Sequence, residues 1–295
     1  MRVGRRTRVA SIASALAGAG VGLSSLWLWA GGEWRLTTLG AGYVPIAPVS
    51  ALLLSVVGLA AGALAIRPEG ALSRLGARIA GLLAAAGSVL GLYQNLTGRA
   101  LPWDVWLVNA DAASYVIPTG RMSPVTASCA LLTALALLSR AQWGRRPQAF
   151  WAVAIPAGLS LFVAVVVVLG YGAGTPLLYG GERLAIPMAL LTAFGWLFVD
   201  VSLLVHPTLD EAVAVLGGAD DEDAPASDHQ YGARRLAAAG AAVALLTALG
   251  AFYVLRAGQA SARTAAEGVL DAVAGLKARQ IADWRSERLS EAAFL

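Results

Sequence analysis

The chain has 295 residues, of which 58% are hydrophobic and 14% are charged, and its formal net charge is +4. A soluble domain usually carries about 25% charged residues, so this composition and the mean hydropathy of +0.67 indicate a protein of the lipid bilayer. The positive charge does not indicate nucleic-acid binding, because the arginines cluster beside apolar segments rather than forming a stripe interleaved with aromatic residues.

Seven apolar stretches are each long enough to cross about 30 Å of hydrocarbon. They comprise residues 9–30, 44–66, 77–94, 122–139, 148–171, 185–205 and 234–255. We therefore predict an all-α integral membrane protein with about seven transmembrane helices. The predicted organisation is a six-span bundle over residues 1–205, an acidic cytoplasmic linker over 206–233, the seventh span over 234–255, and the start of a truncated extracytoplasmic sensor domain over 256–295.

The arginines predict the orientation. With the N-terminus in the cytoplasm, twelve arginines fall in the inner segments and four in the outer loops. This distribution obeys the positive-inside rule, which the opposite orientation would violate. We predict a multi-pass protein of the bacterial inner membrane with a cytoplasmic N-terminus and an extracytoplasmic C-terminal tail.

The second, fourth and sixth spans begin alike, with a proline followed by a hydroxyl residue and then an alanine. The residues are Pro48 and Ser50, Pro124 and Thr126, and Pro187 and Thr192, with the third proline displaced by three positions. The hydroxyl positions lie 76 and 66 residues apart, which predicts three helical hairpins in the same orientation. Proline suits the first turn of a helix, and alanine allows close helix approach. The pattern indicates structural helix starts or, alternatively, a shallow pocket for a ligand or lipid.

Small and aromatic residues indicate packing and interface positions. Glycine pairs spaced four apart, which favour close helix contact, are Gly18 and Gly22, Gly58 and Gly62, and Gly87 and Gly91. We interpret Cys129 as a small residue in a helix interface, since a lone cysteine cannot form a disulfide within the chain. Several tryptophans near span ends, among them Trp27, Trp29 and Trp34, predict an aromatic belt at the membrane surface.

Asp200 is the only acidic residue within a predicted span, about five residues from its cytoplasmic end. Two interpretations stand side by side: its side chain reaches the membrane interface, or it belongs to a proton or ion relay. The sequence contains no phosphate-binding loop, no nucleophile elbow and no histidine cluster. We therefore predict no catalytic residue, no cofactor and no metal site in this chain.

The C-terminal residues 270–295 form an amphipathic pattern. Apolar side chains, including Ile281 and Trp284, recur at three- and four-residue steps, which is typical of one buried face of a helix. We predict an extracytoplasmic helix whose apolar stripe packs within a larger domain, and we count both residues as candidates for signal coupling, together with Asp200 and the three helix starts.

Four segments carry a family resemblance: residues 120–127 (GRMSPVTA) followed by 131–138, and 186–188 (IPM) leading to 192–194 (TAF). With residues 233–236 (ARRL) they resemble the N-terminal membrane regions of bacterial multidomain sensor histidine kinases, and related regions precede diguanylate cyclases. The tail resembles the first helix of a Cache-type extracytoplasmic domain.

The resemblance implies a membrane-embedded sensory input module of a two-component system, an N-terminal fragment of a sensor histidine kinase. It implies contact with membrane lipid, a homodimer, and a kinase or cyclase output domain in the same or a separate chain. The parent protein would phosphorylate a histidine with ATP, but no catalytic residue of that reaction lies here. The alternative is a small multi-span transporter or channel component that uses Asp200 and the three helix starts as a path.

Overall fold

The computed structural model describes residues 2–39, 43–99, 101, 120–143, 147–172 and 187–205, and four positions near the C-terminus, 275, 277, 279 and 280. Up to Val205 the described residues contain six α-helices: α1 (Arg2–Ala30), α2 (Pro48–Ile66), α3 (Ala71–Thr97), α4 (Pro124–Trp143), α5 (Pro147–Gly172) and α6 (Leu190–Val205). A short 3-10 helix, Trp34–Thr38, follows α1. No strand occurs in these ranges.

The prediction of an all-helical membrane protein is confirmed for this part of the chain. The helices α1 to α5 contain stretches long and apolar enough to cross a membrane, and α6 is an apolar helix of 16 residues. The predicted linker, the seventh span, Ile281 and Trp284 lie outside the described residues. The four positions described in the C-terminal tail are helical.

Local chemistry explains the helix boundaries. Pro48 occupies the first turn of α2, where its missing N–H costs no hydrogen bond. At α4 the Ser123 hydroxyl accepts the backbone N–H of Thr126 at 3.0 Å, as an N-cap does. The end of α3 is set by Gly98, whose positive φ of 69° allows its N–H to bond the Gln94 carbonyl.

The six helices pack in a ring in chain order, and α6 closes the ring against α1. The helices α2, α4 and α6 also contact one another, so they form the centre of the bundle. The helices α1, α3 and α5 lie outside, each against two of these inner helices. Most of the exposed large apolar side chains belong to the outer helices, as lipid contact requires.

The inner helices bury the same positions along their length. Counted from Ala51, Ala127 and Ala193, the residue three places further on is fully buried in every case: Leu54, Ala130 and Trp196. The side chain of Leu54 also packs against Gly195, which leaves no room there for a Cβ atom. The centre of the bundle is therefore filled by side chains at this level.

The outer helix α1 approaches α2 and α6 through glycines, as their spacing predicts. A Cβ atom at Gly58 would lie 2.7 Å from the backbone nitrogen of Ala19 and 3.0 Å from the Ala15 carbonyl oxygen. Gly22 faces Ser55 in the same interface, and Gly18 faces Val199 on α6. Because the opposing atoms at Gly58 are backbone, no side-chain rotation can make space for a larger residue.

We predict that Gly58→Ala destabilises the bundle. Forcing a methyl group against fixed backbone typically costs about 1–3 kcal/mol, so the Tm of the purified protein should fall. The matched control is Gly20→Ala on α1, where no atom lies within 4 Å of the added Cβ and alanine favours the helix. Equal Tm values for the two variants would contradict the α1–α2 packing.

Candidate functional site

The three predicted helix starts share one geometry. The alanine N–H groups of Ala51, Ala127 and Ala193 bond the carbonyls four residues earlier at 3.0, 2.9 and 3.0 Å. The hydroxyl residues Ser50, Thr126 and Thr192 are at most 2% exposed, Pro48 and Pro187 are buried, and Pro124 is partly exposed. The three hydroxyl residues therefore lie inside the bundle, in the first turns of the three inner helices.

A side chain from the preceding outer helix clamps each of these starts. Four residues before each hydroxyl residue, a backbone carbonyl accepts a hydrogen bond from the end of the outer helix. These three carbonyl clamps are Trp29 Nε1 to Ile46 O at 2.8 Å, Asn95 Nδ2 to Met122 O at 2.9 Å, and Tyr171 Oη to Met188 O at 2.9 Å. The clamps fix the outer helix ends to the inner helix starts, where an unpaired carbonyl in hydrocarbon would be costly.

Sequence reasoning missed the donors of the clamps. Trp29 was predicted to lie in a membrane-surface belt, but it is 4% exposed, and Trp34, which is 3% exposed, stacks on it with ring centroids 5.8 Å apart. The prediction is wrong for these two residues because their rings are covered within the bundle. Trp27, at 79% exposure, fits the belt.

We predict that Tyr171→Phe lowers the free energy of unfolding by about 0.6–1.7 kcal/mol, the range of interhelical hydrogen bonds in membranes. The variant leaves the Met188 carbonyl without its donor while keeping the ring. Tyr43→Phe is the matched control, because Tyr43 packs edge-to-face on Tyr171 with centroids 4.9 Å apart and no clamp is lost. Equal losses in the two variants would show that the clamp contributes nothing.

A buried polar cluster joins the inner helices α4 and α6 and the outer helix α5. The Thr133 hydroxyl on α4 donates to Asp200 Oδ1 on α6 at 2.8 Å, and it lies 3.1 Å from the Ser160 hydroxyl on α5. The Thr133 oxygen also lies 2.9 Å from the Cys129 carbonyl. Since threonine has one hydroxyl proton, donation to Asp200 requires Ser160 to donate to Thr133. We call this group of four residues the Asp200 site.

Of the two interpretations of Asp200, the structure excludes the one in which its side chain reaches the membrane interface. Its side chain does not reach the membrane interface, because it is 0% exposed although α6 ends five residues later at Val205. The helix lies among α1, α2, α4 and α5, and these neighbours cover the carboxylate. Two buried polar atoms on α6 have no hydrogen-bond partner among the described residues: Asp200 Oδ2 and Trp196 Nε1.

Cys129 lies in the interface between α4 and α5, as predicted. It is a free, fully buried cysteine whose Sγ atom is 4.0 Å from the Ser160 carbonyl. Burial removes it from reagents and partners. In the Asp200 site it contributes a small, buried side chain.

A second polar contact holds α6 on its other side. The Ser11 hydroxyl on α1 lies 2.9 Å from the Ser202 carbonyl and 3.1 Å from the Ser202 hydroxyl. Both serines are buried. Helix α6 is therefore tied by interhelical hydrogen bonds to α1 and to α4, two residues apart along its own sequence.

Five arginines, Arg8, Arg67, Arg74, Arg78 and Arg140, lie at the opposite end of the bundle, which we call the arginine end. Arg8 donates to the carbonyls of Ala65 and Ile66 at the end of α2, and Arg78 Nη2 lies 3.4 Å from the Ala141 carbonyl at the end of α4. Cations suit helix C-termini. Near this end, α2 and α3 line an open, mainly apolar groove of about 370 Å³.

The contacts described above are hydrogen bonds and packing contacts between helices. The described residues contain no group of three or more His, Cys, Asp or Glu side chains that would hold a metal ion. Comparison with protein-family models, with curated proteins and with solved structures finds no match to this chain.

Proposed function

We propose that this chain is the membrane-embedded sensory input module of a bacterial signal-transduction protein, an N-terminal part of a two-component sensor histidine kinase. The observation that carries the proposal is the attachment of α6. Two buried hydrogen-bonded contacts, Ser11 with Ser202 and Thr133 with Asp200, hold α6 to its neighbours, and α6 leads along the chain directly into the predicted cytoplasmic linker.

Coupling through α6 is mechanical. A helix tied by a few discrete hydrogen bonds has a small number of packed positions, and a stimulus that favours one position over another shifts the population between them. A displacement of about 1–2 Å suffices for such a switch. The linker would then carry the displacement to a kinase or cyclase output domain in the same chain or in a partner.

The finer architecture belongs to the same proposal. Three parallel hairpin repeats account for the common starts of α2, α4 and α6 and for the three carbonyl clamps, and a seventh span follows over residues 234–255. The arginine end faces the cytoplasm, as the positive-inside rule requires, and the C-terminal amphipathic helix packs in an extracytoplasmic Cache-like domain of a homodimer. The outer helices contact membrane lipid.

A second candidate function is a small transporter or channel component. The observation in its favour is the buried carboxylate of Asp200, since intramembrane acids often lie on ion or proton paths. Against it, the inner helices α2, α4 and α6 run unbroken through their described ranges, whereas substrate sites of secondary transporters are typically built from interrupted helices. The buried side chains of Leu54, Ala130 and Trp196 also fill the centre.

The test compares the signalling output of variants expressed in the native organism. Thr133→Val removes the hydroxyl that joins α4 to α6, so phosphohistidine or cyclic-dinucleotide output should change severalfold at unchanged membrane abundance. Ser88→Ala is the matched control, because this buried hydroxyl bonds only the Ala84 carbonyl of its own helix, at 2.7 Å.

Two results would contradict the sensory proposal. One is an output that responds to neither variant, or equally to both. The other is solute flux by the purified chain in proteoliposomes that is lost on Asp200→Asn, which would put the transporter in its place.

A further inference from the structure

Asp200 occupies a position where the bundle needs only a small residue. Seven residues after Ala51, Ala127 and Ala193, the three inner helices carry Gly58, Ala134 and Asp200, and Ala134 and Asp200 are both fully buried. Two of the three inner helices thus pack with only glycine or alanine at this position. The carboxylate of Asp200 is an addition that the packing does not explain.

Thr133, the hydroxyl partner of Asp200, also differs from the residues at the corresponding positions of the other two inner helices. Six residues after the same alanines stand Val57, Thr133 and Val199, all fully buried. Threonine and valine have nearly the same shape, so Thr133 differs from its counterparts by the hydroxyl that meets Asp200. Two polar residues, Thr133 and Asp200, therefore replace apolar residues of the other inner helices, and the two contact each other. This pairing indicates one site and not two unrelated differences.

The described surroundings of Asp200 provide no opposite charge at hydrogen-bond distance. Its carboxylate accepts a hydrogen bond from the Thr133 hydroxyl, and α2 and α5 contain no charged residue. On α1 the basic residues end at Arg8, and on α4 Arg140 lies seven residues beyond Thr133, about 10 Å along the axis. An ionised carboxylate that is buried in apolar surroundings without a counter-charge is strongly disfavoured.

The oxygen atoms of the Asp200 site indicate which kind of ion would neutralise the Asp200 carboxylate. They are carboxylate, hydroxyl and carbonyl oxygens, which are hard ligands suited to hard cations. Asp200 Oδ2 has no partner among the described residues and keeps its lone pairs for another group. A single carboxylate balances a single positive charge, so the site does not suit multivalent ions.

We propose that the Asp200 site binds one monovalent cation, an alkali-metal ion or a proton, between α4, α5 and α6. The cation would neutralise Asp200 and, through the Thr133 hydroxyl, set how firmly α6 is held against α4. Cation binding can be tested independently of the sensory proposal, because it is measured on the purified chain without any output domain.

The experiment is thermal unfolding of the full chain in lipid nanodiscs. A ligand that binds only the folded state raises the Tm with its concentration. The chloride salts of sodium, potassium and choline are compared at equal ionic strength, and each series is repeated from mildly acidic to mildly alkaline pH. The variants are Asp200→Asn, which removes the charge and keeps an acceptor for Thr133, and Thr133→Val, which matches the other two hairpins.

An alkali-metal ion at the site raises the Tm by a few degrees in sodium or potassium relative to choline, and Asp200→Asn abolishes the difference. A proton raises the Tm on acidification in all three salts, and the same variant abolishes the pH dependence. In either case Thr133→Val weakens the response, and Ser11→Ala, which removes a buried hydroxyl from the α1–α6 contact, preserves it. A Tm that depends on neither cation nor pH through Asp200, in a folded Asp200→Asn protein, overturns the proposal.

Discussion

The hydrogen bond from Thr133 to Asp200 is the contact on which the inner bundle depends most. Lipid supplies no hydrogen-bond partner, so a polar group between membrane helices must find its partner in the protein. Here the partner lies on a different helix, and the bond therefore fixes the position of α6 relative to α4. A change in the charge of Asp200 therefore acts directly on the contact between α4 and α6.

Elsewhere in the bundle, polar backbone groups also find their hydrogen-bond partners within the protein. At the starts of α2, α4 and α6 the backbone leaves a carbonyl without a helical partner, and an outer helix supplies a donor each time. At the arginine end, Arg8 and Arg78 supply donors to the last carbonyls of α2 and α4. Between the two ends, close approach at glycine and alanine provides van der Waals packing, the main attraction available between helices in lipid.

Much of this architecture was predictable from the sequence. Apolar stretches located the six helices to within about five residues, except at the starts of α1 and α3, which begin at Arg2 and Ala71 and not at 9 and 77, because crossing hydrocarbon requires a continuous run of apolar residues. The proline, hydroxyl and alanine pattern identified where α2, α4 and α6 begin. Glycine spacing predicted close helix packing at Gly58, since only small residues allow backbones to approach so closely.

The contacts within the bundle were not predictable in the same way. The clamp donors are a tryptophan, an asparagine and a tyrosine, separated from their carbonyls by 17, 27 and 17 residues, so no common spacing or residue type marks them. The burial of Asp200 was missed because its distance from the end of α6 says nothing about which helices surround it. Thr133 and Ser160 carry no signal in the sequence, since isolated hydroxyl residues are common in membrane helices.

A double-mutant cycle between Thr133 and Asp200 measures the central contact most directly. Thr133→Val, Asp200→Ala and the double variant are compared with the original chain by reversible unfolding in detergent micelles or bicelles. We expect a coupling free energy of about 0.6–1.7 kcal/mol, as for other interhelical hydrogen bonds in membranes. Strict additivity of the two substitutions would contradict the account, because it would mean that α4 and α6 are held together without this bond.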